Sequence, residues 1–146
     1  YDAFCPDEAM LKEGVTPLHS AEELYKTCNV VSLHIPATAE TKNSINYALL
    51  SRMPKGALLV NTARKEVINE DELIQLMQDR ADFKYVTDIM PAADMKFKTL
   101  FEGRYFATPK KMGAQTAEAN INAGIAAANQ IVDFFTTGNT RFQVNK

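Results

Sequence analysis

Four short apolar runs, separated by segments with helical patterns, limit most strongly how this chain can fold. The runs lie in "NVVSLHIP", "GALLVNTA", "FKYVTDI" and "RYFATP". Short runs rich in β-branched and aromatic residues are typical of buried strands. Because strands that alternate with helices pair in parallel through crossover connections, the pattern predicts a doubly wound parallel α/β sheet.

The segments between the runs carry helix signals. Ser20 and Glu23 have the spacing of a capping box, and Asn69 precedes an amphipathic stretch with acidic residues in its first turn. Residues 41–53 have helical spacing, and residues 116–137 form an alanine-rich pattern that Gly138 closes. These signals predict four helices, the last of them long.

Composition narrows the class of partner. The chain has 146 residues, 46% of them hydrophobic, which is typical of a globular domain. A net charge of −2 without a basic block argues against nucleic acid, and no apolar run is long enough to span a bilayer. Two histidines exclude a multi-histidine metal site, so we predict no metal. Cys5 and Cys28 lack CxxC spacing and predict reduced thiols in a cytoplasmic protein.

Ligands of parallel sheets bind outside the carboxyl ends of the strands, so residues following each run are candidates for the site. Arg64 ends "NTAR", and its planar guanidinium suits a substrate carboxylate, although a surface arginine is equally consistent. Asp88 could orient a nicotinamide amide or a catalytic side chain, or it could cap a turn. Lys110 and Lys111 could supply a proton donor for carbonyl reduction, or form an exposed basic turn.

Two further positions point to a dinucleotide, each with an ordinary alternative. Asp2 follows an aromatic residue at a possible strand end, where a carboxylate could accept hydrogen bonds from an adenosine ribose; an acidic surface residue is the alternative. His34 could line a cofactor or be packed in the fold. No G-x-G-x-x-G occurs, so we expect a Rossmann-like sheet that lacks its first strand and glycine-rich loop.

Three segments, "SLHIPATAETKNSIN", "MPKGALLVNTAR" and "TP…GAQTAEA", have the order and spacing of the D-isomer-specific 2-hydroxyacid dehydrogenases. Along nearly its whole length the chain resembles the NAD-binding domain of that family, and within it the members that oxidise D-3-phosphoglycerate in serine biosynthesis. The resemblance implies NAD as cofactor, a phosphorylated 2-hydroxy acid as small-molecule substrate, and a homodimer at full length. It implies a partial NAD-binding domain over residues 1–136 and a tail over 137–146 that returns towards an absent substrate domain. The chain alone is expected to be inactive.

The resemblance also implies roles for individual residues. Arg64 matches the arginine that binds the substrate carboxylate. The other matches are cofactor positions: Asp2 at the adenosine ribose, His34, Ile35 and Pro36 beside ribose and phosphates, Thr62 and Ala63 near the nicotinamide, Asp88 near its amide, and Gly113 in the last turn.

The turn after the fourth run departs from the family pattern. The family has a histidine in a "TPHIGG"-like turn, whereas this chain reads "TPKKMGA" with one extra residue. Counting from Pro109 puts Lys110 in the histidine's place, and counting back from Gly113 puts Lys111 there. The ungapped match of "GAQTAEA" favours Lys111 slightly.

The glutamate that pairs with that histidine is also absent, because Ala93 stands at its place and Asp94 is the nearest carboxylate. In one interpretation lysine is the acid–base group, which needs no carboxylate to fix a tautomer. In the other, the site has lost catalysis and the fold is a non-catalytic dinucleotide-binding or partner-binding module. The retained Arg64 and the lysine pair favour the first interpretation. A hydroxypyruvate or glyoxylate reductase of the same family is a further alternative.

Overall fold

The structure, a computed structural model, describes residues 1–111 and 116–145, and the chain divides into two compact units, Tyr1–Lys110 and Lys111–Lys146. The first unit contains a four-stranded parallel sheet in the order β1-β2-β3-β4, which confirms the predicted Rossmann-like α/β class. Its strands are β1 (Val30–Leu33), β2 (Leu58–Asn61), β3 (Lys84–Thr87) and β4 (Tyr105–Ala107). Its helices are α1 (Asp7–Lys12), α2 (Ala21–Thr27), α3 (Tyr47–Leu50), α4 (Glu70–Asp79) and α5 (Asp94–Leu100), with a 3-10 turn at Lys65–Val67. The second unit contains α6 (Ala117–Thr137).

The core of the first unit lies on one face of the sheet. Parallel register aligns Val31, Leu59 and Tyr85 across β1, β2 and β3, and all three side chains are buried. The alternate positions point to the other face, where Val30 and Phe106 are each 59% exposed. Strand side chains alternate between faces, and helices α2 to α5, each of which has a buried side chain, cover the face that carries Tyr85.

Local signals fix the ends of the predicted helices. The Ser20 hydroxyl accepts a hydrogen bond from the Glu23 amide at α2, and the Asn69 side chain accepts one from the Glu72 amide at α4. Gly138 ends α6 with φ 73°, a left-handed conformation that glycine adopts without a Cβ clash. The apolar side of α4 packs into the core through Leu73, Ile74, Leu76 and Met77.

The predicted helix over residues 41–53 is wrong for most of its length, because α3 covers only Tyr47–Leu50. The Asn46 side chain accepts a hydrogen bond from the Leu49 amide and so caps the helix at its start. Before it, Ile45 is extended and forms a parallel bridge with Ile68. Residues 41–43 form a turn instead, with Asn43 at φ 55°. The sequence patterns also missed α1 and α5.

Candidate functional site

Parallel register brings the four strand ends to one level at the carboxyl edge of the sheet. The aligned terminal positions are Leu33, Asn61, Thr87 and Ala107. The residues that come next along the chain are His34, Thr62, Asp88 and Thr108. The prediction that these motifs share one sheet edge is confirmed.

Buried Asn61 shapes the turn that presents Arg64. Its Oδ1 accepts a hydrogen bond from the Ala63 amide at 3.0 Å, and its Nδ2 donates to the Arg64 carbonyl at 3.0 Å. Asn61 is 0% exposed, so neither bond competes with bulk water. The Arg64 side chain is exposed and donates from one guanidinium nitrogen to the Ala63 carbonyl at 2.7 Å. The turn thus places a cation at the sheet edge, as binding of an anionic ligand requires.

Asp88 follows β3, and one of its carboxylate oxygens is buried without a donor among the described residues. The Asp88 amide and the Thr87 hydroxyl both donate to the Asn61 carbonyl, which ties the ends of β3 and β2 together. Asp88 Oδ1 is buried and has no hydrogen-bond partner among the residues that the structure describes. A buried acceptor without a donor is costly, so this oxygen suits the N–H group of a ligand such as a carboxamide.

The three residues after β1 occupy different environments. His34 is exposed, and its Nε2 lies 2.9 Å from the Ser32 hydroxyl. Ile35 is half-buried against the core, whereas Pro36 is exposed and its carbonyl accepts a hydrogen bond from the Thr41 hydroxyl at 2.6 Å. The segment therefore combines one packed side chain with two that solvent reaches at the edge of the sheet.

Asp2 does not end a strand, because the structure assigns none to residues 1–5. Its Oδ1 accepts hydrogen bonds from the amides of Phe4 and Cys5, which forms a turn typical of aspartate. A strand requires a hydrogen-bonding neighbour, and β1 is the terminal strand of the described sheet. The exposed Asp2 carboxylate still has one oxygen that makes neither of these bonds.

The lysine pair straddles the division between the two units. Lys110 is exposed at the end of the first unit, and its carbonyl accepts a hydrogen bond from the Thr108 hydroxyl at 2.9 Å. Lys111 begins the second unit and is partly exposed. Gly113, the predicted cofactor position of this turn, lies outside the described residues. Arg64, Asp88 and Lys110 thus belong to one unit, each following a strand of the same sheet.

Asp94 is engaged by two neighbours at the start of α5. It is 7% exposed, with Lys98 Nζ 2.7 Å from Oδ2 and the Tyr105 hydroxyl donating to Oδ1 at 2.7 Å. The hydrogen bond from Lys98, followed by that from Tyr105, lowers the pKa of Asp94. Burial, followed by the hydrogen bond to Asp94, raises the pKa of Tyr105. The contact of Asp94 with Lys98 lies within α5, and its contact with Tyr105 joins α5 to β4.

Glu70 also binds the loop that follows β3 at this edge of the sheet, and the sequence patterns did not predict this contact. Its Oε1 accepts a hydrogen bond from the Ala92 amide at 2.9 Å, and its Oε2 accepts one from the Ala93 amide at 2.8 Å. No sequence signal links a residue in the first turn of α4 with a loop on the far side of β3. Asn61 and Thr87 did carry a signal, since each is a polar residue at a buried position that ends an apolar run.

The described residues contain neither a membrane-spanning helix nor a cluster of metal-binding side chains. Within residues 1–111 and 116–145, no helix combines the length and apolar character needed to cross a membrane. Across the same residues, the structure brings no three metal-binding side chains together.

Comparison with known proteins places this geometry in a family. Residues 1–109 match the family model for the D-isomer specific 2-hydroxyacid dehydrogenase, NAD binding domain. The D-3-phosphoglycerate dehydrogenase of Haemophilus influenzae is 34% identical over 134 residues, which cover 88% of this chain and 32% of that protein. The hydroxypyruvate reductase of Thermotoga maritima is 32% identical over 135 residues, which cover 90% of this chain and 42% of that protein.

A solved structure extends the similarity to the whole chain. The crystal structure of NAD+-bound 3-phosphoglycerate dehydrogenase in Entamoeba histolytica is 49% identical, with a TM-score of 0.83. It covers 100% of this chain, and the chain covers 46% of that protein. The chain therefore spans about a third to a half of the length of the relatives named here. Its sheet, its strand-end motifs and these similarities show that the chain belongs to the D-isomer-specific 2-hydroxyacid dehydrogenase family, whose NAD-binding domain it resembles along its length.

Proposed function

We propose that the protein oxidises D-3-phosphoglycerate to 3-phosphohydroxypyruvate with NAD, the entry reaction of serine biosynthesis, using a lysine where the family has histidine. The observation that carries this proposal is the placement of two groups after neighbouring strands of one sheet: the exposed Arg64, and the buried Asp88 oxygen that has no donor in the described part of the chain. The relatives named D-3-phosphoglycerate dehydrogenase support the choice of substrate.

The described residues fit NAD. Asp88 Oδ1 is a buried acceptor that lacks a donor among them, and a carboxamide N–H supplies one. Thr62 and Ala63 would lie near the nicotinamide, residues 34–36 would lie near the ribose and phosphates, and the Asp2 carboxylate would bind the adenosine ribose. When bound, NAD supplies the acceptor for the hydride that leaves C2 of the substrate.

The side chains of the chain would bind the substrate and move its proton. Arg64 would bind the substrate carboxylate and thereby fix the orientation of C2. As the C2–H electron pair leaves as hydride, the O–H electron pair forms the carbonyl bond. The hydroxyl proton passes to the neutral amine of Lys110 or Lys111, which becomes an ammonium.

Asp94, the carboxylate nearest to the family's glutamate position, is proposed to act on this site through α5. Both of its oxygens bind protein donors, Lys98 Nζ and the Tyr105 hydroxyl. A carboxylate held in this way fixes the start of α5, and with it the end of the loop that begins at Asp88.

Substitution of Arg64 tests the proposal in the full-length protein. NADH formation with D-3-phosphoglycerate is compared for wild type, Arg64→Gln and Lys65→Gln, where the control removes a neighbouring exposed cation. We expect kcat/KM to fall by about 100-fold or more in Arg64→Gln and to stay near the wild-type value in Lys65→Gln. Equal effects of the two variants would show that only net charge matters.

Individual alanine variants of Lys110 and Lys111 identify the acid–base group. We expect one of them to lose kcat by about 100-fold or more while NADH fluorescence shows unchanged cofactor binding. Full activity in both variants contradicts a catalytic lysine. A wild type that binds NADH but turns over no 2-hydroxy acid supports a dinucleotide-binding module.

A second candidate is a reductase acting on hydroxypyruvate or glyoxylate, which the Thermotoga maritima relative favours. The two candidates differ in whether the substrate carries a distal phosphate. Higher kcat/KM for D-3-phosphoglycerate than for D-glycerate supports the first proposal, and the reverse order supports the second. The oligomeric state of the full-length protein, which we propose to be a homodimer, is measured by analytical ultracentrifugation.

A further inference from the structure

We propose that Glu70 is a positioning residue that fixes the loop between β3 and α5 relative to the segment that carries Arg64. This inference rests on the proposed function, because it assigns Arg64 to the substrate and Asp88 to the cofactor. Glu70 touches neither ligand in this account. It acts through the backbone of Ala92 and Ala93.

The contact is a carboxylate that binds two consecutive amides. Glu70 Oε1 lies 2.9 Å from the Ala92 nitrogen, and Oε2 lies 2.8 Å from the Ala93 nitrogen. Hydrogen bonds to an ionised acceptor are roughly twice as strong as neutral ones. Because each oxygen binds its own amide, the carboxylate fixes both the position and the orientation of the loop.

Near β3 the Thr87 hydroxyl bonds the Ile89 amide and carbonyl, but at the α5 end of the loop the described residues provide no N-cap side chain. Four other helices are capped by their own preceding side chains, those of Ser20, Asn46, Asn69 and Thr116. The N-cap of α5 is Ala93, whose methyl group accepts no hydrogen bond. The acceptor for this helix start therefore comes from α4, so the position of the loop depends on the position of α4.

The start of α4, where Glu70 lies, is close to Arg64 along the chain. Only the 3-10 turn Lys65–Val67 and two further residues separate Arg64 from Glu70. At the strand ends, the Thr87 hydroxyl ties β3 to the Asn61 carbonyl at 2.8 Å. Glu70 adds a second tie beyond the strand ends, on the far side of Asp88. The segments carrying Arg64 and Asp88 are thus held at two levels, by Glu70 beyond the strand ends and by the bonds of the Thr87 hydroxyl and the Asp88 amide to the Asn61 carbonyl at the strand ends. Loss of the Glu70 carboxylate removes the outer of these two levels.

Under the proposed function, hydride transfer depends on the distance between the segment that carries Arg64 and the segment that carries Asp88. Reacting atoms must approach to about 3–3.5 Å, and a displacement of about 1 Å can cost about 100-fold in rate. If Arg64 holds the substrate and Asp88 holds the cofactor, loosening one segment against the other lowers the fraction of aligned complexes. The expected effect is on kcat more than on KM for the hydroxy acid, since Arg64 itself is retained.

The test compares Glu70→Gln with Asp71→Asn in the full-length protein. Both variants remove one negative charge from the first turn of α4, so the helix-dipole term changes equally. Glutamine retains one acceptor oxygen but places an NH2 group against the second amide. Asp71 is exposed and has no hydrogen bond to the β3–α5 loop in the described part of the chain. The readouts are amide hydrogen exchange at Ala92 and Ala93, kcat, KM and NADH affinity, all well below the melting temperature.

We expect Glu70→Gln to accelerate exchange of these amides by about tenfold or more, and to lower kcat by a similar factor, with Asp71→Asn near wild type. Unchanged amide exchange in Glu70→Gln overturns the proposal. Faster exchange with unchanged kcat also overturns it, because Glu70 would then stabilise the loop without affecting catalysis. If the wild type turns over no 2-hydroxy acid, the proposed function fails separately. The positioning role is then judged by NADH affinity: a tenfold loss confined to Glu70→Gln supports it, and equal affinities overturn it.

Discussion

Asn61→Asp is the substitution whose effect follows most directly from the site geometry. The change is nearly isosteric, and the carboxylate retains an acceptor for the Ala63 amide. The Nδ2 donor to the Arg64 carbonyl is replaced by an oxygen, so two acceptors face each other where a 3.0 Å hydrogen bond exists. Because the position is 0% exposed, water does not relieve this conflict.

The expected cost combines two contributions at neutral pH. Loss of one hydrogen bond costs about 1 kcal/mol, and burial of a carboxylate against a carbonyl adds about 1–2 kcal/mol. A total of about 2–3 kcal/mol corresponds to raising the pKa of the new carboxyl by about 2 above its usual value near 3.9. In the protonated form its O–H donates to the Arg64 carbonyl and restores the lost bond.

The sign of the pH dependence follows from this raised pKa. Below about pH 4, both folded and unfolded variants are protonated, and the variant approaches wild-type stability. Between about pH 4 and 6 the unfolded state loses its proton first, so stability relative to wild type falls as pH rises. Above about pH 6 the deficit is constant.

Urea unfolding of the full-length protein at several pH values measures this difference, with Asn129→Asp on exposed α6 as the matched control. A deficit that is independent of pH, or a deficit equal to that of the control, refutes the assigned role of Asn61. The variant should also lose kcat/KM at neutral pH, since the turn that presents Arg64 is distorted.

Two further predictions concern stability. Tyr105→Phe removes a donor from the buried Asp94 carboxylate and should lower the free energy of unfolding by about 1.5–3 kcal/mol in urea at neutral pH. The pKa of Asp94 is lowered in the fold, so its contribution is present above about pH 4 and is lost as pH falls through the folded value; the variant's deficit should shrink in the same range. Ser20→Ala removes the cap of α2 and should cost about 1 kcal/mol, read as a lower melting temperature, whereas Ser20→Thr should retain most of it.

Elements with strong local signals were predictable from the sequence. Strand runs ended where polar residues began, and Ser20, Asn69 and Gly138 marked helix ends through interactions within four residues. The rule that ligands bind beyond the carboxyl ends of parallel strands also predicted that Arg64 and Asp88 lie at that edge of the sheet. These predictions depend on neighbours in sequence or on the general topology of parallel sheets.

The features that the sequence did not predict depend on contacts between residues that lie far apart along the chain. The Asn46 cap and the Ile45–Ile68 bridge shortened the helix predicted over residues 41–53, and the bridge joins positions far apart in sequence. Asp94 was singled out as a carboxylate near the site, but its bond to Tyr105 depends on how α5 meets β4. Pairings of this kind leave no periodic trace, because they are set by packing after the elements have formed.

The level at which the strands end has a consequence for how such a chain can diverge. Asn61 and Thr87 close the apolar core, and the exposed Arg64 and Lys110 lie beyond them. The buried side chains that stabilise the fold lie on the core side of Asn61 and Thr87, whereas the candidate site residues Arg64 and Lys110 lie on the solvent side. Substitution of an exposed residue beyond that level, such as Arg64 or Lys110, is therefore expected to change the free energy of unfolding little. If a lysine is the acid–base group, as proposed, this change of proton donor would need no compensating change in the hydrophobic interior.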